Sequence, residues 1–240
     1  MYFDQKEFDI RCEWGLAGVE LLAPTSDVVV IVDVISFTTG VDAALSRGGK
    51  VYPYRWKDER SVEFAREKDA LLAAGSRRDP SAFSLAPTSL LRLPMGASIV
   101  LPSPNGATLS LATGSTPTFA ACLRNASSVA AAAAALGPRI SVIPAGERWP
   151  DGGLRPALED LLAAGAVIYA LPGSRSPEAQ IAEVAFLSFQ DRLWEMLSAC
   201  SSGKEAGDRG SFDDIRFASE CDVSSIAPRL IDGAYIDYGA

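Results

Sequence analysis

The chain has no histidine, so acid–base chemistry falls to carboxylates, thiols, lysine, tyrosine or a metal-bound water. The carboxylate that stands out is Asp33, inside the apolar run Val28-Val29-Val30-Ile31-Val32-Asp33-Val34. An ionised group there is costly to desolvate unless it is paired or binds a metal. Ser36, Thr38 and Thr39 follow it directly. Three further segments place polar groups just after apolar runs: Ser103-Pro104-Asn105-Gly106 with Thr108, Arg124-Asn125, and Gly146-Glu147-Arg148. Helix starts carry unpaired N–H groups and partial positive charge, and arginine forks bind the same oxygens, so such segments favour a phosphate or other oxyanion. Carboxylates beside them repel that anion unless a cation bridges the two. Mg²⁺ suits the role, because one or two carboxylates, substrate oxygens and water hold it. The expected chemistry is metal-assisted, on a small phosphorylated or carboxylated substrate.

Each segment also has a plain structural account. Ser36, Asn105 and Asn125 stand where helix N-caps belong, since their side chains accept from unpaired helix N–H groups. Gly146 suits a tight turn, and Arg55 and Arg124 suit the surface. Glu159-Asp160 falls in the first turns of a helix opened by Pro156, where acids complement the helix dipole. Neighbouring helix positions point about 100° apart, so this pair cannot share one face.

The elements that would position these residues alternate. Strands are predicted at 28–34, 51–54, 97–101, 118–122 and 140–145, with a terminal strand segment over 226–238. Helices are predicted over 37–47, 58–74, from 105, over 125–136, over 156–169, and as one long helix over 177–200; 201–210 reads as a Gly/Ser-rich break. This alternation predicts an α/β fold, a largely parallel sheet with helices on both faces. One domain over 1–240 is expected, with an irregular excursion at about 76–94. In such sheets ligands bind beyond the carboxyl ends of the strands, which is where the polar segments fall. The long helix carries Ile181, Val184, Phe186, Leu187, Phe189, Leu193, Trp194 and Leu197, enough for a core face and for a homodimer interface.

Composition removes other functions. With 22 Lys and Arg against 30 Asp and Glu, the net charge is −8, which disfavours nucleic acid as a partner. Without histidine there is no Ser-His-Asp triad and no His-ligated zinc site. The cysteines, Cys12, Cys122, Cys200 and Cys221, form no C-x-x-C pair and read as buried thiols of a reducing cytosol. No apolar run reaches the roughly 20 residues of a membrane helix, and the first ten residues lack the apolar core of a signal peptide. A cytoplasmic protein without a membrane partner is expected.

Five segments occur in the order seen in 2-phosphosulfolactate phosphatases, the ComB-like family. They are 30–39 (VIVDVISFTT), 103–108 (SPNGAT), 123–126 (LRNA), 145–148 (AGER) and 158–166 (LEDLLAAGA), and the resemblance spans roughly residues 27–170. It implies a Mg²⁺-dependent phosphatase with an α/β fold that releases phosphate from 2-phospho-3-sulfolactate on the route to coenzyme M. By that resemblance Asp33 and Glu159 are metal-site acids, and Asp33, Glu159, Asp160 and Arg148 are catalytic. Ser36, Thr38, Ser103, Asn105, Gly106, Arg124, Asn125, Gly146 and Glu147 fall to the substrate. The chain departs from the pattern at Ser36, where the family commonly carries arginine, and at Pro104 and Ala107, where it carries threonines; Ser84-Leu85-Ala86-Pro87 only echoes its Gly-Asn-Ser-Pro element. Arg148, Arg124 or Arg55 is the expected replacement for the arginine. Two other readings stand beside this one. One is a non-catalytic module that binds a small anion in the same cleft. The other is a haloacid-dehalogenase-type phosphatase with Asp33 as nucleophile, against which Ile35 occupies the position of that family's second aspartate.

Overall fold

The computed structural model describes residues 2–75 and 82–239. The chain opens with β1 (Ile10–Cys12) and α1 (Gly15–Leu22), and the apolar run becomes β2 (Val28–Val32). Then come α2 (Phe37–Leu45), β3 (Val51–Tyr54), α3 (Glu59–Glu67), β4 (Leu71–Leu72), α4 (Pro87–Leu90), β5 (Ile99–Pro102) and α5 (Gly106–Ser110). The alternation continues through β6 (Thr118–Ala121), α6 (Ala126–Ala134), β7 (Ile140–Pro144), the small strands β8 (Glu147–Arg148) and β9 (Leu154–Arg155), and α7 (Leu158–Ala170). Helices α8 (Pro177–Phe189), α9 (Leu193–Ala199), α10 (Ser201–Asp208) and α11 (Phe212–Ala218) precede β10 (Pro228–Ile231) and β11 (Ala234–Asp237).

Among the described residues nine strands form one sheet, in the order β1-β7-β2-β6-β10-β11-β3-β5-β4. β2 lies parallel to both β7 and β6, with Val32 opposite Pro144 and Ala121. The parallel blocks β1-β7-β2-β6 and β3-β5-β4 are joined by the antiparallel hairpin β10–β11. The terminal strand segment expected over 226–238 is therefore two strands. They fold back at Asp232-Gly233, both at positive φ, 50° and 79°, as a two-residue hairpin turn demands.

Side chains of β2 alternate between faces, and both faces are apolar. Val28, Val30 and Val32 join the core formed with α6, α7 and α8. Val29 and Ile31 pack with Val19 and Leu22 of α1 and Leu109 of α5. Helices thus cover both faces, as expected for this α/β class.

Other boundaries differ. The helix expected over 58–74 stops at Glu67; Asp69 turns the chain at φ 48° and β4 then pairs with β5. The helix expected over 177–200 is interrupted by a 3-10 turn at Gln190–Arg192. The predicted break at 201–210 is instead α10: the Cys200 thiol accepts the Gly203 N–H and caps it. Its glycines permit close packing, since a Cβ at Gly203 would lie 1.7 Å from the Leu197 carbonyl oxygen. Of the excursion, residues 76–81 lie outside the described residues; the rest holds α4 and contributes Leu90 and Leu93 to the core.

Candidate active site

β2 delivers Asp33 to the carboxyl edge of the sheet. Its backbone is clamped by Thr38, whose hydroxyl accepts the Asp33 N–H at 3.0 Å and donates to the Asp33 carbonyl at 2.8 Å. The residue is 6% exposed, and its Oδ2 accepts the Gly106 N–H at 2.8 Å. α5 thus crosses to the end of β2, and only glycine allows it: a Cβ at Gly106 would lie 2.7 Å from Asp33 Oδ2 and 2.3 Å from the Phe37 ring. Thr38 is a backbone clamp, and the Gly106 N–H serves a carboxylate of the protein.

Asp160 works from the opposite side. Its Oδ1 accepts the Val34 N–H at 2.8 Å and its Oδ2 the Gly146 N–H at 2.9 Å. Both oxygens are spent joining the end of β2 to the turn after β7, where Gly146 adopts φ 67°. Burial, then Glu159 and Asp33, push the pKa of Asp160 well above the usual carboxylate range. Glu159 turns elsewhere. Its Oε2 accepts the Cys200 thiol at 3.3 Å, at the junction of α9 and α10. The divergence of the two acids is what one step of a helix imposes.

Beside Asp33 a cavity of about 190 Å³ is lined by Asp33, Ser36, Ser103, Asn105 and Glu147, and on its other wall by Ser202, Glu205 and Arg209 of the α10 segment. Glu147 Oε2 accepts from Asn105 Nδ2 at 2.9 Å. Burial, then the charge of Asp33, raise its pKa to about 7. A second hollow, lined by Trp14, Thr108, Gly146 and Arg148, adjoins the other side of the Asn105–Glu147 pair.

Among the described residues no three His, Cys, Asp or Glu side chains form a complete metal cage. The donor set still suits Mg²⁺. With Asp160 committed to backbone N–H groups and Glu159 to Cys200, Asp33 and Glu147 are the acids of this cluster that line the cavity. Two carboxylates, with the balance from substrate oxygens and water, is this ion's usual arrangement.

The structure does not bring every sequence candidate to this cleft. Arg124 pairs with Asp42 at 3.0 Å and with Glu220, and stacks on Phe217. Asn125 is wholly buried, its Oδ1 accepting the Cys122 N–H, and its Nδ2 lacks a hydrogen-bond partner. Arg148 is exposed and donates to the Gly152 carbonyl within its own hairpin. Arg55 is exposed beyond β3. None of the three expected arginine replacements lines the cleft, and Arg209 does. Nor do Ser36, Asn105 or Asn125 cap α2, α5 or α6 with their side chains. Sequence reasoning missed Ser202, Glu205 and Arg209 because glycine content hid α10. The available signal was the four-residue spacing of Glu205 and Arg209, a helical ion-pair spacing.

The family model described as 2-phosphosulpholactate phosphatase matches residues 19–233. The 2-phosphosulfolactate phosphatase of Methanothermobacter thermautotrophicus is 28% identical over 212 residues, 87% of this chain and 88% of that protein. The probable 2-phosphosulfolactate phosphatase of Pseudothermotoga lettingae is 26% identical over 214 residues, 87% of this chain and 92% of that protein. No helix among the described residues is long and apolar enough to cross a membrane. With a family match over residues 19–233, the chain belongs to the 2-phosphosulfolactate phosphatase family and is a phosphoric monoester hydrolase.

Proposed function

We propose that this protein hydrolyses 2-phosphosulfolactate, or a close small anionic phosphoester, with Mg²⁺ held by Asp33 and Glu147. The observation that supports it is the placement of these two acids, Asp33 buried and Glu147 half-buried, on one small cavity, beside Ser36 and Ser103. Two acids so placed repel each other and a phosphate alike, and a divalent cation between them removes both penalties. When bound, the ion supplies charge neutralisation at the phosphoryl oxygens.

The chain's own residues do the positioning. The Gly106 N–H holds Asp33, Asn105 holds Glu147, and Asp160 fixes both walls by gripping Val34 and Gly146. Ser36 and Ser103 line the same cavity and are the hydroxyls that would donate to phosphoryl oxygens. Water adds to phosphorus, the ester P–O bond breaks, and the alcohol and inorganic phosphate leave.

The test is phosphate release from 2-phosphosulfolactate and phospholactate with and without Mg²⁺. Release that EDTA stops and Mg²⁺ restores is expected. Absence of release from both esters with the metal present overturns the reading; if sulfolactate still binds, the non-catalytic module takes its place. A trapped phosphoaspartate at position 33 would instead assign Asp33 the role of nucleophile.

A further inference from the structure

The described residues that line the cleft are rich in acceptors. Arg209 is the one guanidinium among its described lining residues, facing a site that also holds Asp33, Glu147 and Glu205. Arg209 is paired with Glu205 one helical turn back, and both side chains are more than half exposed. An exposed pair of that spacing is weak and easily exchanged. The helix beneath is fixed. Gly203 packs against the Leu197 carbonyl, Gly207 against the Phe212 ring, and Ser202 accepts from Arg155 at 3.0 Å. A mobile guanidinium on a held backbone can therefore leave Glu205 for an anion in the cleft while α10 stays in place.

The phosphatase reading assigns the Asp33 side of the cleft to the phosphoryl group. Resting on that reading, we propose that Arg209 binds the substrate's second oxyanion, its carboxylate or sulfonate, in exchange for Glu205. Arg209 is then a specificity-determining residue, and Glu205 an internal competitor for it.

Steady-state kinetics of the full chain with 2-phosphosulfolactate, phospholactate and phenyl phosphate tests this. Arg209→Ala is expected to lower kcat/KM for 2-phosphosulfolactate about ten- to a hundredfold relative to phenyl phosphate, as loss of a charge-assisted hydrogen bond does. The loss falls mainly on KM, and Arg209→Lys recovers part of it. An equal fall for phospholactate assigns the contact to the carboxylate, and a smaller one to the sulfonate. Glu205→Gln is expected to lower KM for the doubly charged substrates about twofold. The same factor for all three esters, or none, overturns the proposal. Calorimetry with sulfolactate needs no turnover: the wild type is expected to bind it at least tenfold more tightly than Arg209→Ala. Wild-type binding without hydrolysis of any ester removes the phosphatase reading but not this role; equal affinities overturn the role itself.

Discussion

Two groups of acid, one on α2 and one beyond the carboxyl end of β2, are satisfied in opposite ways. Asp42 is 2% exposed and is met by the Arg124 guanidinium and the Ser224 hydroxyl, with Phe217 under the arginine. Around the cleft Asp33 accepts the Gly106 N–H, Asp160 accepts two backbone N–H groups, Glu147 accepts from Asn105 and Glu159 from Cys200, and the charge of Asp33 weighs on both Glu147 and Asp160. A structural acid brings its own cation. The cleft acids crowd one another instead, the charges of Asp33 and Glu159 adding to burial in raising the pKa of Glu147 and Asp160, and that crowding is what the proposed Mg²⁺ would relieve.

The sharpest way to break this comparison is to remove one charge from each group. Arg124→Ala strands Asp42 in the core and is expected to cost about 3–5 kcal/mol of stability, read by chemical denaturation. Adding Asp42→Asn to that variant should recover much of the loss, because the two sites share one interaction. Asp33→Asn should divide the other way. The amide oxygen of the substituted side chain still accepts the Gly106 N–H, so stability falls far less than in Arg124→Ala, while phosphatase activity falls by about 10²–10³-fold or more. An Asp33→Asn protein as destabilised as Arg124→Ala would make both groups structural.

The contact between the ends of β2 and α5 gives the next largest effect. Gly106→Ala puts a methyl group 2.7 Å from Asp33 Oδ2 and 2.3 Å from the Phe37 ring. Overpacking of that kind costs about 1–3 kcal/mol, and here it also displaces the carboxylate. Thermal melting and phosphate release should both report a loss, with activity affected more than stability.

Acidity sharpens the comparison further. Glu147 titrates near 7 in the folded chain against an ordinary value of 4.5. The folded state therefore holds this proton more tightly than the unfolded state does. Stability of the metal-free protein must fall as pH rises from about 4.5 through 7. A loss of about 1–3 kcal/mol between pH 5 and 8 is expected. Glu147→Gln should flatten that slope, and Mg²⁺ should reduce it in the wild type. Denaturation midpoints across this range, with and without EDTA, check the sign.

The difference between the two groups is only partly legible in the sequence. Asp33 announces itself because a charge in a run of valines has few explanations, and the rule for parallel sheets carries Asn105 and Glu147 to the same edge. What no local pattern supplies is the partner. Asp160 finds Val34 across 126 positions, and Arg124 finds Glu220 across 96. Without the second member, a structural arginine and a binding arginine read alike, which is why the sequence alone assigns Arg124 to the substrate. β1 is hidden for a different reason. It is three residues long, and its middle residue is the buried Arg11, bonded to Thr25 and Ser26. α10 is hidden by Gly203 and Gly207, whose propensity cost is offset by the close packing they allow.

The smallest effect lies at Cys200, where the cleft acids meet the helix that covers them. Its thiol donates to Glu159 Oε2 and accepts the Gly203 N–H, joining α7 to the first turn of α10. Burial and the neighbouring Glu159 push its pKa up to about 12, so it should resist alkylation at pH 8 while the protein is folded. A serine hydroxyl can make both bonds and is a preferred helix cap, so Cys200→Ser should hold stability and activity. Cys200→Ala removes the cap, at about 1 kcal/mol, and leaves Glu159 without this donor. Because α10 carries Arg209 at its far end, fraying at Cys200 should raise KM for 2-phosphosulfolactate more than it lowers kcat. If Cys200→Ala instead lost kcat as completely as Asp33→Asn, Glu159 would belong with Asp33 among the acids that act on the reacting atoms. The division between positioning acids and cation-binding acids would then have to be redrawn.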